Sequence, residues 1–300
     1  MMPTFPSFAK LRWLFRSPTF QKSPVRVLSR IVRWEYNRIF EKRSVVDFDD
    51  TLNIWLYPND GVARLTYYFG YHEPEVFDFL HSYLREDMVF LDIGANIGTV
   101  TLFAAKRVGV GGKVYAFEPQ CQTYQRLVTN LQLNGFRNVV AEPFAIGESQ
   151  KNVVMRATSD TAKSYVRYTT DFSSHERQSG FDQCQMISLD DYFSRNALRR
   201  IDYMKVDVEG WEYNVLLGGQ KLIRRYAPPI IQLELYDEFL ARSGSSKSEV
   251  RRLLSELSYR LFELSKGCPK LVPVPACQDP SGNVFAVHSR WIDGLKDFFV

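Results

Sequence analysis

The chain lacks any stretch able to cross a bilayer as a helix. Its longest run without Asp, Glu, Lys or Arg is Ile93 to Ala105, 13 residues, whereas a spanning helix needs about 20 apolar residues. Cysteine is scarce: Cys121, Cys184, Cys268 and Cys277 are the four, and no two have Cys-x-x-Cys spacing. That excludes the usual zinc and redox motifs, and scattered thiols of this kind suit a reducing cytosol. Histidine is equally scarce. His72, His81, His175 and His288 have no metal-ligand spacing among themselves. What remains is ordinary: 300 residues, 45% hydrophobic and 24% charged, enough for a well-buried core.

The net charge of +4 hides an asymmetry. Residues 1–46 hold ten Lys/Arg against Glu35 and Glu41, a balance of +8; the other 254 hold 28 against 32 Asp/Glu, a balance of −4. A body that gripped nucleic acid would carry the basic excess itself, so no nucleic-acid partner is expected. Residues 1–24 mix Pro, Phe, Lys and Arg without periodicity and without the apolar core of a secretory signal. Residues 26–40 read as a helix, with Val27, Leu28, Ile31, Val32, Tyr36, Ile39 and Phe40 at i, i+3, i+4 spacing. That stripe is expected to pack on the domain; peripheral contact with an anionic membrane surface is the alternative. The chain thus divides into a basic extension, 1–50, and a main domain, 51–300, with a cytoplasmic location expected.

From residue 75 onward strand and helix patterns alternate. Residues 88–93, 113–117, 139–145, 203–208 and 230–235 read as strands, the third broken near Pro143. Helices are expected over 75–84, 97–108, 120–133 and 211–222. Ser246-x-x-Glu249 reads as a capping box that opens another helix. Strands at 260–264 and 283–288 close the series. Residues 149–184, with ten Ser/Thr and little periodicity, read as an excursion holding a hairpin and a mobile loop. Alternation over this length argues for a doubly wound α/β sheet.

In such a sheet the ligand lies beyond the carboxyl ends of the strands. The first strand runs into Asp92-Ile-Gly94-Ala-Asn96-Ile-Gly98. Its spacing is Gly-x-x-x-Gly, not the Gly-x-Gly-x-x-Gly of dinucleotide folds, and no Gly-Lys-Ser/Thr follows. The loop carries a carboxylate and no base, which suits a cationic ligand better than a phosphate. Glu118 ends the second strand, 24 residues after Gly94, where an acid can accept both ribose hydroxyls of a nucleoside. The bland alternatives are a tight turn for Gly94 and a helix-dipole carboxylate for Glu118.

Together with Asn130 and Asn134, Ser188-Leu-Asp190-Asp191, Lys205-Val-Asp207-Val-Glu209-Gly210 and Glu234, these motifs resemble the FkbM family of methyltransferases over roughly residues 70–240. The resemblance implies a class I methyltransferase (Rossmann-like) fold, mostly parallel with an antiparallel last strand. It also implies S-adenosylmethionine as donor and O-methylation of a sugar, glycan or natural-product-type small molecule. Donor contacts are expected at Asp92, Gly94, Asn96, Gly98, Glu118 and Ala145. Catalysis is expected at Asp207, Glu209 and Glu234, which the strand order of the fold gathers on one rim.

Crowded carboxylates need a reason, since like charges raise one another's pKa. A sulfonium, a substrate proton or a cation such as Mg²⁺ would each supply one. A structural ion pair of Glu209 with Lys205 is the alternative without chemistry. An RNA-directed methyltransferase and a non-catalytic adaptor of the same fold stand as rival functions. The first is disfavoured by the lack of an (Asn/Asp)-Pro-Pro-(Tyr/Phe) sequence after the fourth strand, where Asp207-Val-Glu-Gly210 stands instead.

Overall fold

A computed structural model describes residues 20–300 apart from 22, 50, 59–60, 72, 157–164, 168–180 and 197. Packing divides the chain into two units, the first ending at Pro74 and the second running from Glu75 to Val300. The division falls later than residue 50. The first unit contains helix α1 (Pro24–Ile39), a hairpin of β1 (Ser44–Asp47) and β2 (Asn53–Leu56), and helix α2 (Gly61–Phe69). Trp34 of α1 is buried and its ring centre lies 5.5 Å from that of Tyr67 on α2. Ile54 and Leu56 add to the same unit's buried residues.

Of the stripe read from the sequence, only Val27 and the partly buried Ile31 face inward. Val27, Trp34 and Asn37 are buried, whereas Leu28, Val32, Tyr36, Ile39 and Phe40 are exposed. The helix carries two apolar faces, and Trp34, the largest side chain, selects the one that is covered. Asn37 sits at its edge and donates to the Ser44 hydroxyl at 2.6 Å.

The second unit opens with α3 (Pro74–Tyr83) and β3 (Val89–Ile93), followed by α4 (Thr99–Val108), β4 (Lys113–Phe117), α5 (Cys121–Leu133) and β5 (Val139–Glu142). Next come β6 (Phe144–Ile146), β7 (Lys151–Arg156), β8 (Tyr165–Arg167) and β9 (Phe181–Ile187). Helix α6 (Leu189–Arg195), β10 (Tyr203–Val206), α7 (Glu212–Gly218), α8 (Gln220–Tyr226) and β11 (Ile230–Leu235) continue the alternation. Short α9 (Asp237–Leu240), α10 (Lys247–Glu256), β12 (Tyr259–Leu264), β13 (Leu271–Pro273) and β14 (Gly282–His288) complete it.

The large sheet has the order β13-β12-β14-β11-β10-β3-β4-β5. Strands β5, β4, β3, β10 and β11 are parallel, and β14 runs antiparallel between β11 and β12. This is the doubly wound, mostly parallel α/β sheet with an antiparallel last strand expected from the sequence. Every residue of β3 and β10 is buried, as strands covered on both faces must be. The chain leaves β3 in one direction for β4 and β5, then returns on the other side for β10 and β11. The switch point, where such sheets bind ligands, therefore lies between β3 and β10.

The strand expected over 139–145 is two strands in two sheets. Pro143, without an N–H to donate, separates β5 in the large sheet from β6 in a small one of order β6-β9-β7-β8. The expected helix 211–222 is likewise two, α7 and α8, meeting at Gly219. Ser246 caps α10 as expected, its hydroxyl accepting the Glu249 N–H at 3.3 Å, while the Glu249 carboxylate accepts that hydroxyl at 2.8 Å in place of the backbone N–H of a full capping box. The excursion supplies β7, β8 and β9; His175 and His72 lie outside the described residues.

Candidate active site

Three strand ends meet at the switch point. The parallel register pairs Asp92 with Lys205 and Lys205 with Gln232. Side chains repeat every second residue on one face of a strand. The next row on that face is therefore Gly94, Asp207 and Glu234. The lower row is a buried charge system. Asp92, fully buried, accepts the Thr101 hydroxyl at 2.6 Å and lies 3.9 Å from the Lys205 ammonium. Lys205 donates to Asp207 at 2.7 Å, a partner other than the Glu209 of the alternative reading. Burial pushes the Asp92 carboxyl upward, opposed by Lys205 and the Thr101 bond.

The loop above this row explains its glycines. A Cβ on Gly94, at φ +85°, would stand 1.8 Å from the Asp207 carbonyl oxygen. A Cβ on Gly98 would stand 2.6 Å from Leu127. Both positions are small because the protein itself approaches.

Every amide of the loop is occupied internally. Gly94 and Ala95 donate to the Phe117 carbonyl, each at 3.0 Å, and Gly98 donates to Ala95 at 3.0 Å. Asn96, in the left-handed region at φ 52°, donates to Glu118 at 2.9 Å, and Ile97 donates to the Asn96 side chain at 2.7 Å. No N–H from Gly94 to Gly98 remains to cradle a phosphate, which is how phosphate-binding loops work. Buried Asn130 of α5 holds the loop from behind, donating to the Ile97 carbonyl at 2.8 Å.

Glu118 follows β4 and is buried. One carboxylate oxygen accepts the Asn96 N–H and the other the Gln120 N–H, both at 2.9 Å. A carboxylate has about four lone-pair directions, so each oxygen retains one. Two adjacent hydroxyls of a nucleoside are donors of the kind this pair accepts, and the fit of a nucleoside donor rests on that. Burial pushes this carboxyl up to about 7, against the two N–H bonds. Ala145 lies in β6, buried with Val153, Met155, Met186 and Trp211.

Asp207, Glu209 and Glu234 converge: one carboxylate oxygen of each lies within 4.8 Å of the others. An oxygen-ligated cation accepts such a spacing. Glu209 holds φ 54°, a conformation costing about 1–2 kcal/mol for a residue with a Cβ. Its clamp is Glu212, fully buried, which accepts the N–H of Val208 at 3.1 Å and of Gly210 at 3.2 Å. The sequence reading missed Glu212 because an acid in a first helical turn ordinarily signals only the helix dipole. Arg242 lies 3.8 Å from Glu209 and stacks over Phe239 at 4.3 Å. Other motif residues are structural. Ser188 caps α6 by accepting the Asp191 N–H, and Asp190 accepts the N–H of Lys221 and Leu222 at the start of α8.

Burial pushes the Glu209 carboxyl up to about 8; Asp207 adds to the rise and Arg242 opposes it. Between its ordinary 4.5 and about 8, the folded chain keeps a proton that the unfolded chain has released. Stability must then fall as pH rises through that window, being fully present below it. Denaturant unfolding should show this slope, flattened in Glu209→Gln most clearly between about pH 7 and 8, where Glu118 and Glu212, at about 7, are already more than half ionised and contribute less of it. An equal slope in the variant would contradict it.

A family model described as the methyltransferase FkbM domain matches residues 92–261, more than half of the chain. The hexuronic acid methyltransferase AglP of Haloferax volcanii is 25% identical over 196 residues, covering 65% of this chain and 73% of that protein. The AMB antimetabolite synthetase AmbE of Pseudomonas aeruginosa is 27% identical over 215 residues, 61% of this chain and 10% of its own length. The crystal structure of methyltransferase FkbM from Methylobacillus flagellatus KT is 15% identical, with a TM-score of 0.42 over 87% of this chain and 59% of that one. The matched segment opens at Asp92, takes in the glycine loop, Glu118 and the carboxylate rim, and closes within β12, and the chain belongs to the FkbM family of methyltransferases.

Proposed function

We propose that the chain is an S-adenosylmethionine-dependent O-methyltransferase acting on a hydroxyl of a sugar, glycan or similar small molecule. The observation that carries this reading is the convergence of Asp207, Glu209 and Glu234 beside a loop with no amide left for phosphate. Such a rim attracts a cation and offers a proton acceptor. When bound, the donor supplies a methyl already activated by its positive sulfur. The chain's own groups have to align the partners and take the acceptor's proton. Glu118 has one free lone pair per oxygen for the ribose. Lys205 fixes the Asp207 carboxylate at the rim. Glu209, pushed up to about 8, is matched to a general base working near neutrality. The sugar acceptor is supported by the relative AglP, named as a hexuronic acid methyltransferase.

S-adenosylmethionine should raise the melting temperature, since a ligand at 100 times its Kd adds about 2.7 kcal/mol to the native state. NAD and ATP should do far less. In Glu118→Ala most of the donor-induced shift should vanish. A shift with NAD and none with the methyl donor would overturn the assignment, and full donor affinity in Glu118→Ala would remove the ribose role. Radiolabelled donor with hexuronic acids, neutral hexoses and phenols then identifies the acceptor class; labelling of RNA in place of all three would favour the nucleic-acid alternative.

A further inference from the structure

Helix α1 buries one apolar face and leaves another uncovered. Val25, Leu28, Val32, Tyr36, Ile39 and the following Phe40 are between 48% and 79% exposed. At 3.6 residues per turn these six fall within a sector of about 120°, on the side of the helix away from Val27 and Trp34. Six large apolar side chains in one stripe exceed the scattered exposure that a soluble surface carries.

One border of the stripe is cationic. Arg26, Arg30 and Arg33 line a cavity of about 820 Å³ together with Asp47, Asp49 and Tyr67. Arg30 lies 5.9 Å from the Tyr67 ring centre. Burial and the neighbouring Arg26 both push its guanidinium below its ordinary value, as crowded cations do. At the far end Lys42 stands over the rings of Tyr36 and Phe40, at 5.4 and 5.8 Å. These groups belong to a segment, residues 1–46, whose sequence balance is +8.

We propose that α1 docks the protein on an anionic lipid surface. The stripe enters the boundary between headgroups and acyl chains, and Arg26, Arg30, Arg33 and Lys42 meet lipid phosphates. No described helix is long and apolar enough to cross a membrane, so the contact lies in the plane of the surface. Charge selects this occupant over a second copy of the chain. Pairing two stripes would bring two +8 segments together, whereas an anionic surface neutralises them.

The test uses the full chain, sedimented with vesicles of phosphatidylcholine alone or of phosphatidylcholine and phosphatidylglycerol in equal parts. Wild type should pellet with the mixed vesicles at low salt, be released at high salt, and stay in solution with phosphatidylcholine. The double variant Val32→Asp, Ile39→Asp should bind at least about tenfold more weakly. Arg26→Gln with Arg33→Gln should weaken binding and flatten its salt dependence. All four positions are exposed, so melting temperature and donor-induced stabilisation should be unchanged and certify the fold. Failure of wild type to pellet, equal pelleting on both vesicle types, or full binding by the Val32/Ile39 variant each overturns the proposal. A dimer in solution that this variant dissolves, without vesicle binding, assigns the stripe to a second copy instead.

Discussion

Asp207→Asn and Glu209→Gln should each lower turnover by about 10²- to 10⁴-fold, the range a positioned acid or base contributes. Both swaps keep shape and most hydrogen bonding while removing an ionisable carboxyl at the rim where the three converge. Donor affinity, which the proposed function assigns to Glu118 and the glycine loop, should change much less. The two variants differ in a second readout. Asp207→Asn removes the carboxylate that lies 2.7 Å from the buried Lys205 ammonium, so it should also lower the melting temperature. Glu209 is partly exposed and meets Arg242 at 3.8 Å, so its loss should leave stability at neutral pH intact or improved.

Single-turnover rates and donor titrations on the same preparations separate these effects. Turnover within about twofold of wild type in both variants would make the carboxylates structural. A chelator should leave the rate unchanged if a carboxylate takes the proton unaided. Loss of rate on chelation, restored by Mg²⁺, would instead assign the three oxygens to a cation.

Gly94→Ala should be severely damaging. Its new Cβ would meet the Asp207 carbonyl oxygen at 1.8 Å, and φ there is +85°. Gly135→Ala is the matched control, with φ +68° and open space around the Cβ. The control should lose only the about 1–2 kcal/mol of a left-handed residue with a side chain. Gly94→Ala adds a backbone collision that neither strand can yield to without moving the rim. Its loss should exceed about 4 kcal/mol, the range reserved for severe mechanisms. At about 2–4 °C per kcal/mol for a domain of this size, the melting temperature should fall by about 10 °C or more, and donor binding should go with it. Equal melting temperatures for the two variants would refute the packing account of Gly94.

The central strands were legible because they are short, mainly apolar runs, each with a single charged residue, ended by Gly94 or Asp207, as at Val89–Ile93 and Tyr203–Val206. Once these two strands and Ile230–Leu235 are set side by side, two-residue periodicity alone brings Asp207 and Glu234 into one row. The clamp by Glu212 was not legible, since its bonds run to Val208 and Gly210 through a turn that no periodicity describes. Nor was the hairpin of β1 and β2, whose four-residue strands are too short for an alternation to stand out. On α1 the period of 3.6 fits two stripes equally well, and only the fit of Trp34 against Tyr67 decides which is covered. At Pro143 the break in the strand was legible, but the change of sheet across it was not, because one-dimensional periodicity has no means to mark which sheet a strand joins.

The occupied amides of the loop from Gly94 to Gly98 set a limit on how this enzyme could be retooled. Nucleotide cofactors with a diphosphate are gripped mainly by main-chain N–H groups, and main-chain groups are not altered by exchanging side chains. Substituting Glu118 or the rim acids would therefore discourage the present donor without recruiting a dinucleotide. A switch of cofactor would require residues to be inserted before α4, so that amides now bonded to Phe117 and Glu118 turn outward. The exclusion of a diphosphate here resides in main-chain hydrogen bonds, so exchanging side chains can weaken donor binding without admitting a dinucleotide.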